Sequence, residues 1–218
     1  MMSWRVMSGA ALGLVVVLAV GGAPARVADA EPDGVLSGEE MQARADVMNG
    51  RLKVLEHACA DCHGGGPNPA AEGYLQGMRD TMGQFRVGPF ITRPRNLTPD
   101  NLTGIGRFTE RQIFNAIRYG LRPGETPDVE ITSRIPGQGN FPLVPKYLAP
   151  PMPWPAFRHM ADQDIWDIAA YLKRAVKPVA NRVMDSEGPP DFWASGVTDS
   201  LLGSYPAAAF PTANERAP

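Results

Sequence analysis

The sequence predicts an all-α domain in which short helices are joined by long loops. Apolar residues recur at intervals of three or four in three separate stretches, as they do on the buried face of a helix. The 22 prolines and 23 glycines among the 218 residues interrupt these stretches repeatedly, which favours long loops between the helices. No stretch alternates between apolar and polar residues clearly enough to predict a sheet.

The first predicted helix spans residues 38–57. Its apolar stripe consists of Met41, Ala45, Met48, Leu52 and Leu55. Gly50 lies inside this helix, where a glycine lowers stability unless another element packs closely on it. Residues 64–95 are predicted to form a long loop with one short helical turn near residues 72–82, because they hold many glycines, prolines and arginines and show little periodicity.

The second predicted helix begins after Thr109 and ends at Gly120, because Thr109 and Gln112 form the capping-box pattern of a helix N-terminus. Residues 121–150 show no helical period and are predicted to wrap around the domain as an extended loop. The last helix is predicted over residues 161–176, with acidic residues in its first turn and basic residues at its end. Its apolar stripe consists of Ile165, Ile168, Ala169 and Leu172.

The motif with the most specific chemistry is Cys-x-x-Cys-His at residues 59–63. Two thiols at this spacing can add to the two vinyl groups of one haem, and the histidine that follows can bind the iron. A structural zinc site needs four ligands, and outside the motif only two histidines and carboxylates are available. No strand–helix pattern of a thioredoxin-like protein precedes the motif. We therefore expect one haem c, attached through Cys59 and Cys62, with His63 as the first axial ligand.

Three segments are predicted along the chain: a signal peptide over residues 1–30, a mono-haem domain over residues 31–180, and a Pro/Ala-rich tail over residues 181–218. The first segment has an apolar stretch over residues 10–20 and the cleavage pattern Ala28-Asp29-Ala30. Because haem c is attached outside the bacterial cytoplasm, we expect a periplasmic protein with no transmembrane segment after cleavage. An uncleaved N-terminal anchor is the alternative. The tail holds four aromatic residues, so we expect part of it to pack on the domain or on a partner.

The second axial ligand decides between an electron carrier and a haem enzyme. Met152 is the best candidate among ten methionines, because Pro151 and Pro153 restrict the backbone that presents its thioether. Filling a gap in the core is the more usual role of a methionine. The remaining candidates are Met78, Met82, Met160 and His159.

The helix with Gly50, the haem motif, the Met-Pro loop and the final helix together resemble class I cytochrome c. That resemblance implies the class I cytochrome c fold, with short helices and long loops wrapped around one haem. In this family the first and last helices cross where a glycine meets an aromatic residue, which implies that Gly50 meets Tyr171. Arg93, Arg95 and Arg118 are candidates to pair with the haem propionates, and Asn96 and Thr98 are candidates to donate to them; the alternative for each is a solvated surface residue.

A narrower resemblance covers residues 45–180. Three stretches are similar to the haem domains of cytochrome c subunits of bacterial membrane alcohol, aldehyde and sugar-acid dehydrogenases; they are residues 96–100, 103–109 and 114–120. Those subunits usually carry three haem motifs and often a membrane anchor, whereas this chain has one motif, and no C-terminal anchor is expected.

The sequence thus predicts an electron-transfer protein without catalytic residues. The resemblance implies a periplasmic or membrane-bound dehydrogenase, and a terminal oxidase or another cytochrome, as redox partners. The chain holds 21 basic and 23 acidic residues, and this balance argues against nucleic acid as a partner. Two alternatives stay open: a haem enzyme or small-ligand sensor, peroxidase-like or NO-binding, with a labile distal ligand, and a docking subunit of a dehydrogenase complex.

Overall fold

The computed structural model describes residues 36–78 and 83–217, which form mostly helices and loops. The α-helices are α1 Gly38–Ala43, α2 Val47–Glu56, α3 Cys59–His63, α4 Glu110–Tyr119, α5 Trp154–Phe157, α6 Asp162–Arg174 and α7 Asp199–Leu202. A 3₁₀ helix spans Phe192–Gly196. None of the helices in the described residues is long and apolar enough to cross a membrane. The predicted signal peptide, residues 1–30, lies outside the described residues.

A small antiparallel hairpin joins β1, Phe85–Val87, to β2, Phe90–Thr92. It differs from the expectation that no sheet forms, because strands of three residues are too short to show an alternating pattern. Gly88, at the turn, has a φ of +56°, which suits a tight hairpin. Residues 72–78 contain turns and a bend but no helix, unlike the short helical turn predicted there, and residues 79–82 lie outside the described part of the chain.

The predicted helix over residues 38–57 is divided into α1 and α2. The division is caused by Asp46, whose carboxylate accepts hydrogen bonds from the backbone N–H groups of Met48 and Asn49 at 2.7 and 3.2 Å. Asp46 therefore caps a new helix N-terminus. The buried face of α2 holds Gly50 and Val54. The predicted apolar stripe is wrong at Met48 and Leu52, whose side chains are 69% and 50% exposed.

Helices α2 and α6 pack against each other at Gly50. A Cβ atom added to Gly50 would overlap the carbonyl oxygen of Asp167 and would lie only 2.9 Å from the Cβ atom of Tyr171. Only glycine permits so close an approach of the two helices. The meeting of Gly50 and Tyr171 that the resemblance implies is confirmed.

Helix α4 begins and ends as the sequence predicts. The Thr109 hydroxyl accepts a hydrogen bond from the Gln112 N–H at 3.1 Å, and the Gln112 side chain accepts one from the Thr109 N–H at 3.1 Å. Gly120 follows the last turn. The predicted stripe of α6 is also buried, and Trp166 of α6 stacks on Phe114 of α4 with ring centroids 4.6 Å apart. The first hydrophobic core lies among these helices.

A second hydrophobic cluster involves the loop over residues 121–150, the start of α5 and the tail. Its buried members are Leu121, Ile131, Phe141, Tyr147 and Trp154. Trp193 and Leu202 of the tail pack against them. Residues 121–150 form no helix, as predicted, but they carry an apolar core of their own. The expectation that part of the tail packs on the domain is confirmed.

Candidate haem site

The residues of the Cys-x-x-Cys-His motif form the short helix α3. Its N-cap, Ala58, has a left-handed φ of +51°, so the chain changes direction between α2 and α3. Ala60 is buried in the first core, which anchors α3 to the domain. Cys59 is half-buried and Cys62 is exposed, and both are free thiols. Burial raises the pKa of the Cys59 thiol to about 11, so this side chain is a neutral thiol at neutral pH.

The imidazole of His63 is oriented by a backbone carbonyl. Its Nδ1 atom lies 2.7 Å from the carbonyl oxygen of Arg95. Because a carbonyl only accepts hydrogen bonds, Nδ1 carries the proton and donates it, and Nε2 keeps a free lone pair. Burial lowers the pKa of His63, which favours this neutral form. Metal-bound histidines are commonly oriented in this way.

Backbone hydrogen bonds hold the loop that carries Arg95 against α3. The Gly77 N–H donates to the carbonyl of His63 at 2.7 Å, and the Leu75 N–H donates to the carbonyl of Gly64 at 2.8 Å. The Leu97 N–H then donates to the carbonyl of Leu75 at 2.8 Å. The hydrogen bond from His63 to the Arg95 carbonyl was not predicted, because every residue has a main-chain carbonyl and such a group leaves no signal in the sequence.

A haem fits these residues better than a metal held by side chains alone. Within the described residues, no group of three or more His, Cys, Asp or Glu side chains could hold a metal ion. What α3 offers is two free thiols at the spacing for haem attachment and one imidazole with Nε2 available.

Met152 is half-buried and lies two residues before the start of α5. Its N–H donates to the carbonyl of Ala149 at 3.2 Å. In the part of the chain that the structure describes, Met152 belongs to neither core cluster, whereas Met160 and Met41 pack against the first one. The usual packing role thus fits Met160 better than Met152. The assignment of Met152 as the second axial ligand stays a prediction.

The other candidate ligands lie in different surroundings. Met78 is half-buried beside Gly83, and Met82 lies outside the described residues. His159 is exposed, and its ring is tilted against that of Tyr205 with centroids 5.5 Å apart.

Asn96 and Thr98 are buried and tie their loop to the segment after α6. The Asn96 amide donates to the carbonyl of Val179 at 2.8 Å and accepts a hydrogen bond from the Thr98 N–H at 2.9 Å. The Thr98 hydroxyl accepts one from the Val179 N–H at 3.0 Å. These groups therefore have protein partners in this structure, and their predicted contact with haem propionates stays a prediction.

Arg93 and Arg95 hold the chain segment over residues 184–187. Arg93 donates to the Asp185 carbonyl and to the Glu187 carboxylate, both at 2.6 Å. The Arg95 side chain donates to the Met184 carbonyl at 3.0 Å.

Arg118 is buried and binds both the start of α6 and the tail. It donates to the Tyr205 hydroxyl at 2.7 Å, to the Met160 carbonyl at 2.9 Å, to the Arg158 carbonyl and to the Asp162 carboxylate. The pairing of any of the three arginines with a haem propionate stays a prediction.

Comparisons with known proteins place the motifs in context. No protein-family model matches the chain. It is 27% identical to the fructose dehydrogenase cytochrome subunit of Gluconobacter japonicus over 183 residues, which cover 81% of this chain and 29% of that protein. It is 30% identical to the alcohol dehydrogenase (quinone) cytochrome c subunit of Gluconacetobacter polyoxogenes over 133 residues, which cover 50% of this chain and 24% of that protein.

A further relative is the gluconate 2-dehydrogenase cytochrome c subunit of Pantoea cypripedii, with 30% identity over 95 residues that cover 43% of this chain and 17% of that protein. The chain spans less than a third of the length of each of these relatives. The resemblance predicted from the sequence is confirmed: the chain is similar to cytochrome c subunits of bacterial fructose, alcohol and gluconate dehydrogenases.

Proposed function

We propose that this chain is a periplasmic mono-haem c-type cytochrome that transfers single electrons between redox partners. Cys59 and Cys62 would hold the haem, and His63 and Met152 would bind its iron. The observation that carries the proposal is the orientation of His63 by the Arg95 carbonyl within a Cys-x-x-Cys-His helix. When bound, haem c supplies a one-electron couple between Fe(III) and Fe(II).

The protein's own residues act by positioning and burial. The hydrogen bond from Nδ1 of His63 to Arg95 fixes the ring and strengthens Nε2 as a donor to a metal. The prolines on both sides of Met152 restrict the backbone, so that little conformational entropy is lost when its thioether is held in place. No side chain transfers a proton in this proposal, and we propose no catalytic residue.

A class I cytochrome c fold is part of the same proposal. The crossing of α2 and α6 at Gly50 and Tyr171 supports it, as do the position of α3 after α2 and the position of Met152 before α6. We further propose that residues 1–30 are a signal peptide, that residues 31–180 form the haem domain and that residues 181–218 are its tail.

The relatives suggest the partners. Each of the three is named as a cytochrome subunit of a dehydrogenase. We propose that a periplasmic or membrane-bound dehydrogenase donates electrons to this chain, either as a redox partner or as part of one complex. A terminal oxidase or another cytochrome would accept them. The oxidation of any substrate would then take place on another chain.

The test is production of the full chain in a periplasm that has haem-attachment machinery. We expect mass spectrometry to show one covalent haem per chain and the oxidised protein to show a low-spin spectrum with the far-red band of methionine bound to Fe(III). A chain without covalent haem would contradict the proposal. A persistent high-spin spectrum together with rapid reaction with peroxide or NO would favour the haem enzyme or sensor.

A further inference from the structure

A cavity of about 490 Å³ lies between the end of α4, α5, the loop over residues 121–150 and the tail. Its aromatic lining residues are Tyr119, Phe141, Tyr147 and Trp154. The rings of Tyr147 and Trp154 are nearly parallel, with centroids 5.8 Å apart. Among the described residues that line this cavity, none belongs to the haem motif. Its volume is in the usual range for small-molecule sites.

Among the described residues, the charged side chains that line this cavity are three arginines and Asp199, so positive charge is in excess. Arg118, Arg134 and Arg158 line it, and their guanidinium carbons lie 5.5, 5.0 and 5.6 Å from the centroid of the Tyr205 ring. Arg118 is paired with Asp162. Arg134 lies 3.7 Å from the carboxylate of Asp199, whose side chain is 65% exposed.

Arg158 is the exception among the three arginines. It is 4% exposed, and no carboxylate of the described residues lies within salt-bridge distance of it. Its guanidinium donates to the carbonyls of Leu202 and Gly203 at 3.1 and 2.7 Å, but its Nε–H is buried without a partner. Asp199 lines the same cavity but lies beyond salt-bridge distance of Arg158. A buried charge whose opposite charge is not in contact with it is destabilising, so this position favours an external anion.

The surroundings of Arg158 show the same excess of positive charge. Burial lowers the pKa of Arg158 and the charge of Arg134 lowers it further, while the charges of Asp199 and Tyr205 oppose both effects only in part. Burial, followed by the charges of Arg158 and Arg118, lowers the pKa of the neighbouring His159. Both effects would be relieved by a negative charge in the cavity.

We propose that this cavity binds the carboxylate of a ligand with an apolar body, through Arg158 and with Arg134 at its mouth. A guanidinium group matches the geometry of a carboxylate, and the aromatic walls suit an apolar body. The carboxylate has two possible sources, a soluble carboxylic acid or a propionate of the haem. Only the second source rests on the function proposed above. Trp154 lines the cavity and lies two residues after Met152, so it connects the cavity to the loop that carries the proposed axial ligand.

The first arm of the test uses benzoate as the probe and its neutral analogue benzamide as the comparison. The haem-loaded full chain is titrated in a calorimeter as wild type, as Arg158→Gln and as the control Arg182→Gln, whose side chain is 82% exposed. For a soluble source we expect benzoate, but not benzamide, to bind the wild type and the control. We expect Arg158→Gln to weaken that binding by about tenfold or more.

The second arm measures the reduction potential of the same proteins. If a haem propionate occupies the cavity, benzoate does not bind, and Arg158→Gln has a lower reduction potential than Arg182→Gln, because a nearby cation favours the reduced iron. The proposal is overturned if benzoate gives no heat and the two variants share one potential. It is also overturned if benzamide binds as well as benzoate and Arg158→Gln binds both like the wild type.

Two further measures keep the test decisive. If Arg158→Gln does not fold, Arg134→Gln replaces it in both arms, because Arg134 is partly exposed at the mouth of the cavity. Loss of the Arg134 charge should likewise weaken benzoate binding or lower the reduction potential. If haem attachment fails, the proposed function is contradicted, and the same benzoate titration is carried out on the haem-free full chain. Binding of benzoate that Arg158→Gln weakens would then support the cavity proposal, and absence of binding would overturn it.

Discussion

Gly50 of α2 and Tyr171 of α6 meet at the crossing of two helices that are separated by more than one hundred residues in sequence. The contact is possible only because Gly50 has no side chain. A methyl group there would overlap the backbone of Asp167 as well as approach Tyr171. Helix α3 follows α2 directly, and its Ala60 belongs to the same hydrophobic core as this crossing.

We predict that Gly50→Ala lowers the free energy of unfolding by about 1–3 kcal/mol, because α2 and α6 must move apart to admit the methyl group. The matched control is Gly124→Ala, where an added Cβ would lie 3.7 Å from the Phe108 ring, at ordinary contact distance. Urea unfolding of the two variants measures the difference. Equal midpoints for both variants would contradict the close approach at Gly50.

Asp167 strengthens the same crossing through hydrogen bonds. Its carboxylate accepts from the Asp46 N–H at 2.8 Å, from the Asn49 amide at 2.6 Å and from the Gln163 amide at 2.9 Å. In Asp167→Asn, one oxygen becomes an NH₂ group that faces a donor. We predict a loss of about 1–3 kcal/mol of stability, whereas Asp185→Asn, at a side chain that is 81% exposed, should leave the unfolding curve unchanged.

Met152 is tested by removing its thioether. We predict that Met152→Ala keeps haem covalently attached, since attachment depends on Cys59 and Cys62, but loses the low-spin spectrum and lowers the reduction potential. Met48→Ala, at a side chain that is 69% exposed, is the control and should match the wild type. Absorption spectra and redox titration check both variants. An unchanged spectrum in Met152→Ala would mean that another residue binds the iron.

Stability at acid pH should depend on Asp100. Hydrogen bonds from the Thr103 hydroxyl and N–H hold the pKa of Asp100 below its ordinary value of 3.8. Because the folded pKa is the lower one, this stabilisation is present above pH 3.8 and is lost as the pH falls through the folded pKa. Thermal melts below pH 5 should therefore show a smaller decrease in Tm for Asp100→Asn than for the wild type.

The control for this pH dependence is Asp185→Asn, whose side chain is largely exposed. It should follow the wild-type Tm at every pH. If Asp100→Asn follows the wild type equally closely, the hydrogen bonds from Thr103 do not stabilise the folded state.

Local patterns in the sequence predicted part of this structure well. The capping box at Thr109 and the apolar stripe of α6 depend on residues that are close in sequence, and both are confirmed. The break at Asp46 was not predicted, because a helical period can continue across a residue that caps a new helix. The hairpin at Gly88 was not predicted, because its strands are too short to show a period.

From the sequence, only those parts of the candidate site could be predicted whose chemistry belongs to side chains. Cys59, Cys62 and His63 are evident from their spacing alone. The second hydrophobic cluster, and the three arginines around Tyr205, bring together α4, α5 and the tail. Tertiary packing creates these groups, and no single stretch of sequence encodes them.

The hydrogen bond between His63 and Arg95 has a consequence for how this protein can vary. The orientation of the imidazole is encoded in the path of the main chain, since a carbonyl oxygen is present at every position whatever its side chain. Substitutions at position 95 can therefore accumulate while the histidine keeps its direction, provided that the loop retains its course. Insertions or deletions between residues 64 and 95 would shift that carbonyl, so loop length should be more constrained than loop composition.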